Sequence, residues 1–159
     1  MRDFAVITET DYRDPVSAFA PLAGRAHALL PDSAALTAQG GYSYIAVDPF
    51  RVVKCSSHPW RVTVDGAPRE GGAFDVLAEE LRTYRWTPEA PVPFTGGAVG
   101  FFSYELGGLL EDMPRPKTRP LPVDMVVGFY DVIAAFDHQD RKAFIIASAF
   151  WEASSSLLP

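Results

Sequence analysis

At 159 residues, with 48% hydrophobic and 13% aromatic residues, the chain has the length and apolar content of one compact domain over residues 1–159 and too many aromatics for a disordered segment. Its formal charge of −6 and pI near 5.0, with no local Lys/Arg cluster, remove the electrostatic basis for binding nucleic acid or an anionic membrane. The longest apolar runs, such as Met125–Gly128 and Ala143–Phe150, fall far short of the roughly 20 residues of a membrane span.

The start, MRDFAVITETDYRDP, is acidic where a signal peptide is basic. Cys55 is the single cysteine, which excludes an internal disulfide and a multi-cysteine zinc site. A reducing, cytoplasmic setting is expected.

Phe4–Ile7 reads as a short strand, and Asp14-Pro15 as a cap and first turn for a helix from Val16 to about Leu22. His27–Leu30 reads as a buried strand ending in the turn residues Pro31-Asp32-Ser33, and residues 34–41 as a loop. Tyr42–Val47, Arg51–Ser56 and Trp60–Val64 carry successive strand signatures, suggesting an antiparallel meander. Asp65-Gly66 is the best hairpin signal, with Pro68 weakening the return strand.

Gly71-Gly72 introduces a helix whose apolar face is read as Phe74, Leu77, Ala78 and Leu81, with Glu79, Glu80 and Arg82 outward. It gives way at Trp86-Thr87-Pro88. Phe94–Phe102 reads as a strand whose Gly96, Gly97 and Gly100 let another element approach the backbone closely.

Leu106, Leu109 and Leu110 suggest a short helix, and the four prolines between Met113 and Pro122 an exposed extended loop. Asp124–Phe136 and Phe144–Ala147 read as a hairpin, covered on both faces, with a polar tip over residues 137–142. The predicted fold is α+β, an antiparallel β-rich core of sandwich-like sheets with a few flanking helices.

Chemistry-bearing residues are sparse. Gly96-Gly97-Ala-Val-Gly100 lacks the Lys-Ser/Thr of a phosphate loop and the spacing of a dinucleotide loop. His27, His58 and His138 have no metal-ligand spacing; His58 and His138 read as solvated turn residues. Cys55 reads as a buried strand thiol and Glu105 as a surface carboxylate near a helix start, although an unrelated small enzyme could use either. No serine lies in a nucleophile elbow. No catalytic residue is assigned.

Four segments carry a family resemblance: LPDS at 30–33, GGYSYIAVDP at 40–49, PFTGGAVGFFSYELGGLLEDMP at 93–114 and LPVDMVVGFYDVIAAFDHQ at 121–139. In this order they resemble the amino-terminal domain of the aminodeoxychorismate synthase component I and anthranilate synthase component I family. The DHQ and GGAVGFFSYEL wording is closer to the aminodeoxychorismate branch.

The resemblance implies that Gly96, Gly97, Gly100 and Tyr104 belong to a structural motif, and that Ser33 and Tyr42 occupy positions of a tryptophan-like ligand pocket. Pro31 and Asp32 depart from the family's Leu and Glu, and no Lys or Arg lies between Arg25 and Arg51 to meet a ligand carboxylate. It also implies that catalysis and Mg²⁺ belong to a carboxy-terminal chorismate-binding half. That half is expected to be absent here, since no P-I-K-G-T-like motif occurs before Pro159. The domain is expected to be incomplete without it, and a glutamine amidotransferase is the expected further partner. A reading of another class is a free-standing module that binds tryptophan or a relative.

Overall fold

A computed structural model describes residues 5–33, 41–57, 59–84, 89–112 and 122–148. The elements in chain order are β1 (Ala5–Thr10), α1 (Pro15–Phe19), β2 (Tyr42–Ala46), β3 (Arg51–Ser57), β4 (Trp60–Val64), β5 (Ala67–Arg69), α2 (Ala73–Thr83), β6 (Gly97–Phe102), β7 (Met125–Tyr130), β8 (Val132–Asp137) and β9 (Lys142–Ser148). 3₁₀ segments lie at Ala20–Leu22 and Tyr104–Leu109. The fold is α+β with a β-rich core, its strands in a four-stranded sheet ordered β1-β9-β8-β2 and a five-stranded sheet ordered β5-β4-β3-β7-β6. Among the described residues no helix is long and apolar enough to cross a membrane.

The chain forms two compact units. The first comprises Met1–Phe50, Tyr84–Gly97 and Tyr130–Pro159, and the second Arg51–Thr83 and Ala98–Phe129.

In the first unit, β8 and β9 form the expected hairpin, with Phe136 opposite Ala143 and Asp137 opposite Lys142. Asp137 caps the tip by accepting from the amides of Gln139 at 2.9 Å and Asp140 at 3.0 Å. The helix start is also as read: Pro15 opens α1 and the Asp14 carboxylate accepts from the Ser17 amide at 2.8 Å. The hydrogen bonds from Ser17 hold the Asp14 carboxyl below its ordinary range. Tyr12, Phe19 and Leu22 pack with the buried Ile45, Phe136 and Ala143 on one face of the sheet. Farther along that face Val6, Val132 and Ile145 are exposed, so β8 and β9 are not covered on both faces as expected.

Two phenols of this unit are buried at their oxygens. Tyr130 donates to the His27 carbonyl at 2.7 Å, and the Tyr44 hydroxyl lies beside the Phe94 backbone without a well-formed hydrogen bond. Burial pushes both pKa values up to about 12. A folded pKa raised above the ordinary tyrosine value of about 10 supplies stability that is present below pH 10 and lost as pH climbs through 12. Alkaline titration is therefore expected to unfold this unit between about pH 10 and 12, with phenolate absorbance and loss of circular dichroism rising together. A native spectrum retained after all six tyrosines ionise would contradict this.

The second unit holds the Asp65-Gly66 hairpin. Val64 lies opposite Ala67, and Asp65 and Gly66 have φ of 50° and 82°, the two left-handed positions of a tight β-turn. Pro68 stands in a three-residue edge strand, where no ladder donor is lost. Gly96 and Gly97, both at φ 121°, lead into β6, which begins at Gly97 rather than Phe94. Gly100 meets the β7 backbone so closely that an added Cβ would sit 2.0 Å from the Val126 carbonyl oxygen. This is the close approach the glycine spacing predicts.

Four expectations are corrected. The meander is β3-β4-β5, because β2 pairs with β8 in the other sheet. Asp124–Phe136 is two strands, not one, since the chain leaves the five-stranded sheet after Tyr130 and joins the four-stranded sheet at Val132. His27–Leu30 is not a buried strand: His27 has φ 48°, all four residues are half-buried, and only Leu29 bridges to Ala46. The buried face of α2 is Ala73, Val76, Leu77 and Glu80, one position round from the expected set, leaving Leu81 exposed. The readings of His58, Trp86-Thr87-Pro88 and most of the proline-rich 113–122 loop lie outside the described residues, as do most of the 34–41 loop and residues 149–159.

Candidate functional site

The Leu29–Ser33 segment lies along the free edge of β2. Leu29 and Ala46 exchange backbone hydrogen bonds of 2.8 and 3.0 Å, and Tyr44 donates to the Pro31 carbonyl at 2.9 Å. Pro31 has no N–H to return, so the pairing stays an interrupted bridge rather than a strand. Asp32 bridges to Ser43, and the same register places Ser33 across from Tyr42. Because side chains alternate across a sheet, Ser33, Tyr42 and Tyr44 share one face, while Asp32 and Ser43 share the other. The two residues expected in a pocket, Ser33 and Tyr42, thus come together, and both are half-buried.

Their face is aromatic. The Tyr42 and Tyr44 rings stack at 6.4 Å and 23°, and Phe94 meets Tyr44 edge-on at 5.4 Å. Such a wall can take a flat apolar group while Ser33 and Tyr42 offer hydroxyls for one polar contact.

On the opposite face stands a group that resembles a hydrolytic triad only in composition. Ser43 Oγ donates to Asp32 Oδ1 and lies 2.6 Å from His138 Nε2. A nucleophilic serine gives its proton to histidine and presents Oγ to substrate. Ser43 gives its proton to the carboxylate and is fully buried. His138 is therefore a partly buried network residue, correcting its reading as a solvated turn residue.

The remaining candidates are dispersed. Cys55 is 1% exposed in β3, and burial, aided by Asp124, pushes its thiol pKa up, opposite to what an attacking thiolate needs. Glu105 is half-buried in the Tyr104–Leu109 turn, while Tyr104 is 83% exposed beside it.

Sequence reasoning passed over one buried carboxylate, Asp124, and placed another, Glu80, on the outward face of its helix. Asp124 is fully buried and accepts from Ser103 Oγ at 3.1 Å. Glu80, 6% exposed, meets Arg51 Nε at 3.5 Å and Arg69 at 3.4 Å. Its spacing from Ala73, Val76 and Leu77 was the available signal. An open cleft of about 520 Å³ in the second unit is lined by Trp60, Arg61, Val62, Pro68, Arg69, Glu70 and Gly71. The Arg69 fork is already engaged by Glu79 and Glu80.

What fold and site define is an antiparallel α+β protein with an aromatic, hydroxyl-bearing face. No protein-family model matches the chain. Curated relatives do. Anthranilate synthase component 1 of Bacillus caldotenax is 30% identical over 146 residues, 86% of this chain and 28% of that protein. Aminodeoxychorismate synthase component 1 of Salmonella typhimurium is 31% identical over 96 residues, 58% of this chain and 20% of that protein. Its Escherichia coli namesake is 41% identical over 64 residues, covering 40% and 14% of the two chains.

The crystal structure of anthranilate synthase component I from Streptococcus pneumoniae shares the fold, with a TM-score of 0.60 and 23% identity over 91% of this chain and 31% of that one. The chain's homologues are therefore the component 1 proteins of anthranilate synthase and aminodeoxychorismate synthase, the family that the four motif segments resemble. The chain spans less than a third of the length of these relatives.

Proposed function

We propose that this chain is the amino-terminal, non-catalytic part of an aminodeoxychorismate synthase component 1. Its parent would aminate chorismate, with ammonia from a glutamine amidotransferase, to a folate precursor. The observation that carries the reading is the coincidence of four ordered motif segments with relatives aligned over most of this chain but under a third of their own. The DHQ segment at 137–139 and the Escherichia coli similarity support the aminodeoxychorismate branch. The broader coverage by the Bacillus caldotenax protein supports the anthranilate branch as a second reading.

A scaffold role fits the chemistry, since the buried serine, thiol and carboxylates hold the fold together. It also fits the exposed Phe101, Phe102, Tyr104, Leu109 and Leu110 around β6 and the turn after it, an apolar surface of the kind that packs against further polypeptide. In this reading Mg²⁺ and chorismate belong to the carboxy-terminal portion, and Ser33 and Tyr42 form one wall of an amino-acid pocket. The purified chain is expected to convert no chorismate when given ammonia and Mg²⁺, and to bind an environment-sensitive hydrophobic dye. Chorismate turnover would overturn the reading. Calorimetry with tryptophan separates the free-standing sensor: a 1:1 heat abolished by Ser33→Ala would establish that alternative, and silence is the result expected of a scaffold.

A further inference from the structure

We propose that Tyr12, His138, Ser43 and Asp32 form a one-way hydrogen-bond chain that latches the Leu29–Ser33 segment onto β2, with His138 as its positioning residue. The direction follows from counting protons. The Asp32 carboxylate can only accept, so the single Ser43 hydroxyl proton goes to Asp32. Ser43 Oγ then has only lone pairs for His138 Nε2 at 2.6 Å, so Nε2 carries the ring proton. In the Nε2–H tautomer Nδ1 is left as an acceptor, and Tyr12 donates to it at 2.8 Å. Each of the three contacts then pairs one donor with one acceptor.

The geometry around the chain holds it in place. The Tyr12 ring meets the edges of Phe136 at 6.4 Å and His138 at 6.2 Å, and the Arg141 guanidinium lies 4.6 Å over its face. The His138 amide donates to the Gly41 carbonyl at 2.8 Å, fixing the ring at the hairpin tip. Residues 95 positions apart are thereby joined, and three of the motif segments supply one member each: Asp32, Ser43 and His138. Without the latch, the Leu29–Ser33 segment is held to β2 by the interrupted ladder, one rung of which Pro31 leaves half-made, and by the packing of Leu30 against the cluster of Ile45, Phe136 and Ala143. Its connection to ligand binding through Ser33 rests on the proposed function. The latch itself does not.

The test uses the chain without ligand, so its failure is separate from failure of the pocket. Nitrogen chemical shifts should show neutral His138 protonated at Nε2. His138→Phe, which removes both hydrogen bonds, should speed exchange of the Tyr44 amide, bonded to Pro31, by about tenfold while leaving the β8–β9 ladder amides unchanged. His138→Gln, which keeps a donor toward Ser43 and an acceptor toward Tyr12, should restore much of that protection. If His138→Phe does not fold, Ser43→Ala should give the same selective loss. An Nδ1–H tautomer, or Tyr44 exchange that is unchanged or rises only in step with the β8–β9 amides, would overturn the proposal.

Discussion

Gly100→Ala is expected to lower the stability of the chain by about 3 kcal/mol or more, a large effect for one methyl group. An ideal Cβ at this position stands 2.0 Å from the Val126 carbonyl oxygen, 2.7 Å from Val127 Cα and 2.9 Å from the Val126 carbonyl carbon. All three are backbone atoms of β7. A flexible side chain could swing aside, but the backbone of a paired strand cannot. Relief therefore requires β6 to move off β7, which breaks ladder hydrogen bonds and uncovers the buried Met125, Val127 and Phe129.

Gly108→Ala supplies the control. An added Cβ there meets nothing within 4 Å, so its effect should stay within about 0.5 kcal/mol. Urea unfolding of both variants decides the matter. Gly100→Ala should shift the midpoint at unchanged slope, and its melting temperature should fall by about 6–12 °C. Equal midpoints for the two variants would show that the strands adjust without cost.

The Gly100 contact was legible because it is local: a glycine among large apolar residues in a strand marks a point where another backbone comes close. The same holds for Asp14-Pro15 at the start of α1 and for Asp65-Gly66 at the β4–β5 turn, where a particular backbone geometry requires a particular residue type. What failed was whatever depends on partners far along the chain. Nothing in Tyr42–Val47 distinguishes a strand pairing with its successor from one pairing with β8, about 90 residues on. His138 looks like any polar tip residue until Ser43 and Tyr12 are brought beside it. Ser33 and Tyr42 were paired through family resemblance alone, and the register that sets them face to face runs through bridges too short to leave a periodic signal.

Glu80 shows the same limit in one helix and yields the second large effect. Periodicity leaves two overlapping stripes on α2, and hydrophobicity favours the one that includes Leu81. The fold takes the other because Arg51 and Arg69 stand opposite Glu80 and offset the cost of burying it. Glu80→Ala is expected to cost about 2–3 kcal/mol, somewhat below the loss when a wholly buried pair is broken, because the side chains of Arg51 and Arg69 remain 26% and 36% exposed and can recover water. Glu79→Ala, which removes the shorter 2.7 Å contact to Arg69 from a side chain 57% exposed, should cost at most about 1 kcal/mol.

The order is opposite to that of the distances, and that makes the comparison decisive: if burial governs, the longer contacts matter more. Combining Glu80→Ala with Arg69→Ala should cost less than the sum of the two, since both changes remove the same Arg69–Glu80 contact. Strict additivity, or equal losses from Glu79→Ala and Glu80→Ala, would mean that Glu80 is held in place by the helix and contributes nothing through its arginines.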